Sequence, residues 1–211
     1  MASVTELLGA AFAEAKARQA DLYQRWTSLG LRIGGLLPES ALVANVQQHG
    51  DIDILLRALE GERSVIIGRD DAAADICSVQ YQTTLSACWV SGFYEILRLL
   101  HQRKIVEGRE DFIALHRDFE LLRIPLDKHE IAKEKSLKEP LKLQRTSKVN
   151  DKDGDYIYDR AAPGRAHIMP CALSSRGSIM WHVIDVRENK SYWIERQGLS
   201  DRIVSFFDGK S

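Results

Sequence analysis

The amino-acid sequence predicts a mainly helical protein with a small C-terminal sheet, an α+β fold overall. Apolar residues recur every three to four positions through the first two thirds of the chain, which is the period of helices in a bundle. The pattern changes after residue 165, where three β-prone runs separated by turn-forming residues predict a three-stranded antiparallel β-meander. A terminal helix from about Ser200 to Phe207 follows.

The N-terminal helices are expected to be separated by glycine and proline. Ser3 and Glu6 have capping-box spacing, so we expect a first helix from about Val4 to Ser28. The residues expected to end it are Gly30, Gly34, Gly35 and Pro38.

The segment after Pro38 predicts shorter elements. A helix is expected from Pro38 to Gln48, followed by an interruption at His49-Gly50. Asp51 is expected to cap a further short helix. The β-prone run Ser64–Ile67 predicts a short strand.

The middle of the chain predicts the longest helix, from Asp71 to Arg103, which is apolar on most sides and therefore central. One polar stripe remains along it: Thr84, Ser91, Glu95, Arg98 and Gln102. This stripe is either the exposed edge of the helix or, for Glu95, the partner of a buried arginine.

The next helix starts near Arg109 and is expected to form a long central antiparallel pair with the previous one. Pro125 removes a backbone donor and disfavours helical geometry at Ile124, so a kink or break is expected there. Helix is expected to resume from His129 to Lys138.

The predicted organisation is a helical bundle over residues 1–145, a loop or linker over 146–164, and the meander with its terminal helix over 165–211. The last part is expected to pack on the bundle as one unit. In the middle strand, neither set of alternating positions from Trp181 to Val186 is clearly polar. Both faces of the sheet are therefore expected to be partly covered.

Composition narrows the class of protein. The 211 residues have a formal net charge of -1, so global charge indicates neither a nucleic-acid nor a membrane partner. Three cysteines without CxxC spacing argue against a disulfide framework and a zinc site. The N-terminus does not resemble a signal peptide, and no apolar run approaches the roughly 20 residues that span a bilayer. We therefore expect a cytoplasmic protein with no membrane partner.

The segment Leu121–His129 holds the most suggestive pair of residues. Arg123 is followed by the apolar Ile124 and, six positions later, by His129. This arrangement resembles the motif of the HEPN superfamily, an arginine and a histidine separated by four to six residues. The resemblance implies a helical bundle that acts as a metal-independent ribonuclease or an RNA-binding relative. It also implies RNA as partner, a homodimer, no cofactor, and a setting in toxin–antitoxin systems or phage defence.

The resemblance gives Arg123 the role of a phosphate-contacting cation and His129 that of the acid/base group, with Asp127 and Glu95 orienting them. The chemistry is suitable, because histidine titrates near neutral pH and an arginine fork matches the charge of a phosphorane. Positions six apart on an unbroken helix point about 120° apart. The mechanism therefore depends on the break expected at Pro125.

The bare spacing of the motif also occurs elsewhere in the chain, at Arg109/His116, Arg160/His167 and Arg176/His182. The structural alternative is that Arg123 and Asp127 form an exposed ion pair one helical turn apart, while His129 is a surface residue.

The segment from Lys128 to Lys148 is net positive within a chain of net charge -1. Lys128, Lys133 and Lys135 are the residues that we expect to contact phosphates next to the motif. The alternative is a solvated helix face, since no aromatic residues interleave for base stacking.

Metal chemistry has little support in the sequence. Asp151–Asp155 resembles the start of a calcium loop, but its glycine is at the fourth position and Ala162 stands where a bidentate glutamate is needed. His167, Cys171 and His182 match no zinc pattern. No metal site is therefore expected.

Two functions outside catalysis remain open. The chain is alternatively a scaffold or interaction protein whose C-terminal sheet, with Trp181, Tyr192 and Trp193, contacts a protein partner. A third interpretation is a small-molecule sensor with a pocket between helices and sheet.

Overall fold

A computed structural model of the chain describes residues 2–38, 40–67, 76–143 and 155–209, with side chains described from residue 79 onward in the fourth helix. The helices are α1 (Val4–Arg18), α2 (Ala20–Leu36), α3 (Leu42–Ile67), α4 (Ile76–Gln102), α5 (Glu110–Lys128) and α6 (Arg196–Asp208). The strands are β1 (Leu141–Leu143), β2 (Tyr156–Tyr158), β3 (Cys171–Leu173), β4 (Ile179–Asp185) and β5 (Lys190–Glu195).

One buried cluster joins the helices to the C-terminal sheet. In the central pair α4–α5, the Phe93 ring lies 5.7 Å from Trp89 and 5.9 Å from Phe119, centroid to centroid. Trp181 of β4 and Ile203 of α6 belong to the same buried cluster. The predicted α+β fold, with its central helix pair and terminal helix, is confirmed. In the part of the chain that is described, no helix is long and apolar enough to cross a membrane.

The C-terminal sheet has the order β3-β4-β5 and is antiparallel throughout, so the predicted meander is confirmed. Along β4 the residues alternate between a buried inner face, which includes Trp181 and Val183, and a half-buried outer face, which includes His182 and Ile184. The strands are shorter than the β-prone runs, and α6 begins at Arg196 rather than near Ser200.

A second, two-stranded sheet joins the end of the predicted bundle, which provides β1, to the predicted linker, which provides β2. β1 and β2 pair antiparallel, with Leu141 opposite Tyr158 and Leu143 opposite Tyr156. We call this pair the ribbon. Together with Ile131 it builds a second, small apolar cluster. The expectation of loop over 146–164 is therefore wrong for Tyr156–Tyr158, while residues 144–154 lie outside the described residues.

The glycines of α2 do not end the helix, contrary to prediction. The chain bends at Gln19 instead, and α2 continues through Gly30 and Gly34 to Leu36. A Cβ added at Gly30 would overlap the side chain of Gln47, and one at Gly34 would overlap Val43. Close packing of α2 on α3 therefore outweighs the low helix propensity of glycine.

α3 is also longer than predicted. It runs through His49-Gly50 without interruption. Trp26 packs closely against Gly50: a Cβ added to this glycine would lie 2.9 Å from the Cβ of Trp26. Asp51 is an interior helix residue and accepts a hydrogen bond from Lys16 Nζ at 3.0 Å. Ser64–Ile67 is the last turn of α3 rather than a strand.

α4 spans Ile76–Gln102, close to the predicted Asp71–Arg103, and residues 71–75 lie outside the described part of the chain. α5 passes through Pro125 without a break and ends at Lys128, and the next residue, His129, has a φ of 55°. The helix expected from His129 to Lys138 is absent, and a short 3₁₀ turn spans Glu134–Ser136.

Arg196, the first residue of α6, is a fully buried cation. Its Nε and Nη2 donate to Glu60 at 2.7 and 2.6 Å, and its Nη1 donates to Asp53. Trp26 Nε1 also donates to Asp53, at 2.8 Å, and Ser178 Oγ donates to Glu60, at 2.6 Å. Burial works against the charged guanidinium, but the two carboxylates outweigh it and hold the pKa of Arg196 above its usual range.

Candidate functional site

Arg123 lies in a polar cluster between α4 and α5. Its Nε is 2.9 Å from Asp127 Oδ2 and its Nη2 is 3.6 Å from Glu95 Oε1. Ser91 Oγ donates to Asp127 Oδ1 at 2.7 Å, and the guanidinium lies 5.5 Å from the centre of the Tyr94 ring. The structure therefore brings together three of the four residues expected to act in catalysis, as a brace between two helices.

His129, the fourth, stands apart from this cluster. It follows the last residue of α5, its side chain is exposed, and its carbonyl oxygen accepts a hydrogen bond from His167 N at 2.7 Å. Within the described residues, no hydrogen bond or ion pair joins His129 to Arg123. The break expected at Pro125 is wrong, so the route proposed for bringing imidazole and guanidinium together does not exist.

The three lysines expected to bind phosphates do come together. Lys128, Lys133 and Lys135 line one cavity of about 350 Å³ between the end of α5 and the 3₁₀ turn, and Arg187 joins them from the loop after β4. We call this cavity the basic pocket. It is a feature of tertiary structure, since Arg187 is distant from the lysines in sequence.

Acidic residues share the basic pocket and neutralise part of it. Lys133 forms an ion pair with Glu120, while Glu130 and Glu134 are both held by Arg165, at 3.1 and 2.5 Å. Among the described residues no ion pair involves Lys128, Lys135 or Arg187. These three cations remain available to an anion.

A larger cavity of about 580 Å³ lies between the ribbon and the outer face of the C-terminal sheet. We call it the ribbon cavity. The ribbon contributes Leu141, Leu143 and Tyr156, and β4 contributes His182 and Ile184. The lining is mostly apolar, which is usual for small-molecule sites of 300–1,000 Å³.

His167 is a buried polar group in the wall of the ribbon cavity. Only 3% of the residue is exposed, and its Nδ1 is hydrogen-bonded to Tyr156 Oη at 2.7 Å. Burial, with His182 adding a smaller effect, lowers the pKa of His167 to about 4. The imidazole is therefore neutral at pH 7.

The second ring nitrogen of His167 opens onto the ribbon cavity. No hydrogen bond among those of the described residues reaches His167 Nε2. The atom is also not fully enclosed by protein. It therefore retains access to the space that the residue lines. A neutral nitrogen in an apolar wall is a group that a ligand can satisfy.

Trp193 forms part of the mouth of the ribbon cavity. It is paired across the strands with His182, and the two rings lie 5.1 Å apart at an interplanar angle of 46°. The indole is nevertheless 47% exposed. A large aromatic face beside an apolar cavity offers a platform for stacking.

The charged groups at the ribbon cavity are balanced. Each charged side chain in its lining has an ion-pair partner of opposite sign: Lys142 with Asp155, Lys190 with Glu188, and Asp185 with Arg117. Because His167 is neutral as well, the cavity presents hydrogen-bonding groups but little net charge.

Sequence reasoning did not identify the ribbon cavity. It did note that neither face of the β4 segment is clearly polar, so both faces were expected to be partly covered. The cover is the ribbon, whose strand β2 lies in the segment 146–164 that was predicted as a linker because it has few apolar residues and many turn formers. His167 and His182 were considered as zinc ligands and as repeats of the arginine–histidine spacing, and not as cavity residues. No group of three or more potential metal ligands occurs in the described residues. The calcium-loop candidate Asp151–Asp155 lies almost wholly outside those residues.

Comparison with models of known protein families, with curated proteins and with solved structures finds no match to this chain. The resemblance to the HEPN superfamily therefore stays a prediction from the Arg123…His129 motif. Function has to be argued from the two cavities.

Proposed function

We propose that the chain binds a small, mainly apolar molecule in the ribbon cavity. The observation that carries this proposal is His167, a buried neutral histidine with an unpartnered nitrogen facing an apolar space. Polar groups in apolar surroundings are costly unless they are hydrogen-bonded. A ligand that fills the cavity and bonds to this nitrogen removes that cost.

The direct test uses prodan, a neutral naphthalene ketone whose fluorescence reports the polarity of its surroundings. We expect saturable binding at one site per chain, with a blue-shifted emission. The matched variants are Ser191→Trp, which places an indole in the lining of the ribbon cavity, and Ile113→Trp, which adds the same group on the exposed surface of α5.

Binding that is lost in Ser191→Trp and retained in Ile113→Trp supports the proposal. Binding that both variants retain, or no saturable binding to the wild type, refutes it. Both variants are first compared with the wild type by circular dichroism, so that only folded proteins enter the comparison.

A second candidate function, RNA binding, is favoured by the basic pocket. Lys128, Lys135 and Arg187 converge there without ion-pair partners among the described residues. Such cations bind nucleic-acid phosphates and release the counterions condensed on them. The affinity for RNA therefore falls as the salt concentration rises. This proposal retains RNA as partner but assigns contact to the pocket rather than cleavage to Arg123.

Fluorescence anisotropy of a labelled single-stranded 12-mer RNA tests this second proposal. Removing three phosphate contacts in Lys128→Gln/Lys135→Gln/Arg187→Gln should flatten the slope of log affinity against log salt by about 2, because each contact contributes roughly 0.7 for single strands. Arg103→Gln/Lys104→Gln, at the exposed end of α4, is the control and should have little effect. Equal slopes for the two variants contradict the proposal.

Cleavage has a test of its own. Arg123 is already held by two carboxylates, which compete with a phosphate for its guanidinium. We therefore expect the wild type and His129→Ala to show no difference in RNA cleavage when EDTA is present. Cleavage that is present in the wild type and lost in His129→Ala would restore the ribonuclease mechanism.

A further inference from the structure

We infer that the ligand of the ribbon cavity is an uncharged, planar aromatic molecule carrying a hydrogen-bond acceptor. This inference rests on the proposed ligand-binding function and adds the chemical class of the ligand. Three features of the cavity carry it: the exposed Trp193 ring, the free nitrogen of His167, and the pairing of the charges around the lining.

The exposed ring of Trp193 indicates that the ligand contains a planar aromatic part. Its indole packs on one neighbour in the sheet, His182, and still leaves almost half of its surface exposed beside the cavity. Tryptophan is costly to leave in water, and offset stacking of a second ring recovers both apolar contact and the interaction of the two quadrupoles. A flat ligand gains this contact, whereas a saturated one of equal size gains only burial.

The tautomer of His167 indicates that the ligand carries a hydrogen-bond acceptor. A neutral imidazole has one donor and one acceptor nitrogen, and the partner of one decides the role of the other. Tyr156 Oη lies 2.7 Å from Nδ1. A phenol donates more readily than it accepts, because its oxygen lone pair is delocalised into the ring. Nδ1 is then the acceptor, and Nε2 presents an N–H to the cavity.

Tyr156 is accordingly a positioning residue rather than a contact that defines the ligand. Its hydroxyl selects the tautomer of His167, and the ribbon fixes its place, since Tyr156 is paired with Leu143 across the two strands. The backbone N of His167 is itself held by the carbonyl of His129 at 2.7 Å. The N–H donor is thus fixed from both the main chain and the side chain.

The ion pairs around the lining of the ribbon cavity indicate that the ligand is uncharged. Each cation or anion of the lining already has a counter-ion, as with Lys142 and Asp155 at 2.6 Å and with Asp185 and Arg117 of α5 at 3.3 Å. A charged ligand would lose its hydration without gaining an unpaired partner, which opposes binding in an apolar cavity. His167, neutral at pH 7, supplies no charge either.

Calorimetric titration with four small probes at pH 7.5 tests the inference. Isoquinoline has two fused aromatic rings and one acceptor nitrogen, and indole has two fused rings and one N–H donor. 2-Naphthoate adds a negative charge, and 1-decalone is a saturated two-ring ketone. We expect isoquinoline to bind about tenfold more tightly than indole, which lacks the acceptor for His167. It should bind about fivefold more tightly than 1-decalone, which keeps the acceptor but cannot stack, and more tightly than 2-naphthoate, whose charge finds no unpaired partner.

Three variants separate the contributions. His167→Phe should lower the affinity for isoquinoline to that for indole, and His167→Gln, which retains an N–H donor, should recover part of the preference. Trp193→Leu should weaken isoquinoline about fivefold and leave 1-decalone within twofold, because only the flat ring stacks. Tyr156→Phe should reduce the preference for isoquinoline over indole while both still bind.

The outcomes distinguish this inference from the proposal beneath it. Suppose that prodan binds and Ser191→Trp blocks this binding, but indole, 2-naphthoate or 1-decalone binds as tightly as isoquinoline. The inferred ligand class is then wrong, and the proposed binding function stands. The same holds if prodan binds and none of the four probes does. If prodan does not bind, the function itself fails. The expected order, lost in His167→Phe, supports both.

Discussion

Replacing Arg196 with methionine should destabilise the fold more than any other single change at a charged residue described above. Methionine has a similar length but no charge, so the substitution leaves Glu60 buried without its ion-pair partner and leaves Asp53 with Arg57 alone, whose Nε lies 3.7 Å away. Breaking a buried ion pair in this way costs about 3–5 kcal/mol. In a chain of this size each kcal/mol lowers the Tm by roughly 2–4 °C, so a fall of about 6–20 °C is expected.

The assay is urea unfolding followed by tryptophan fluorescence and far-UV circular dichroism, with coincident transitions required before a free energy is derived. The matched control is Arg176→Met. Arg176 also binds two carboxylates, Glu195 and Asp201, but its side chain is 45% exposed. Exposed pairs contribute about 0–1 kcal/mol, so this variant should remain close to the wild type.

A loss below about 1 kcal/mol in Arg196→Met, or equal losses in the two variants, would refute this argument. A further variant, Arg196→Met/Asp53→Leu/Glu60→Met, removes all three charges. It should recover part of the lost stability, since replacing a buried ion network with apolar residues is often neutral.

Three other results are expected. The pKa of His167 is lowered from an ordinary 6.5 to about 4, so its neutral form stabilises the fold above pH 6.5 and this contribution is lost as the pH falls toward 4; urea unfolding should show a loss of about 2 kcal/mol between pH 7.5 and 5 that His167→Gln lacks, and identical pH dependence of the two proteins would contradict this. Gly34→Ala should cost about 1–3 kcal/mol by overlap with Val43, whereas Gly35→Ala, with open space around the added Cβ, should stabilise by up to about 1 kcal/mol; thermal melts that rank these two variants in the opposite order would refute the packing argument. Arg123→Gln should cost less than about 1 kcal/mol in the same urea assay, because its carboxylate partners are partly exposed, and a loss above 2 kcal/mol would show that the brace between α4 and α5 is structurally essential.

Much of the fold follows from local patterns in the sequence. The periods of α4, α5 and β4 predicted their type and approximate bounds, and the capping box at Ser3 and Glu6 forms as expected, with Glu6 N bonded to Ser3 Oγ at 3.2 Å. These features depend on residues close together in the chain, so spacing alone contains the information.

The errors in the fold have a common physical cause. Gly34 and Gly50 were taken as helix breakers, but each lies where another helix approaches too closely for a side chain. Pro125 lies in the last turn of α5 and is buried, so the packing of this turn outweighs the backbone donor that proline lacks. Local propensity favours a break at all three positions, and long-range packing decides otherwise.

The sites divide in the same way. Lys128, Lys133 and Lys135 are close in sequence and were predicted together, whereas Arg187 joins them only through the fold. His167 gave no signal, because its role depends on a tyrosine eleven residues earlier and on a cavity formed by two separate sheets.

The position of Arg196 also bears on how the protein is made. Its counter-charges on α3 leave the ribosome long before it does, since 143 residues separate it from Asp53. During synthesis, burial of those two acids is costly while Arg196 is missing, so we expect the early helices to close over them only after this arginine has emerged. Completion of the core therefore waits for this arginine, and shortened products that stop before it should be degraded by proteases instead of accumulating.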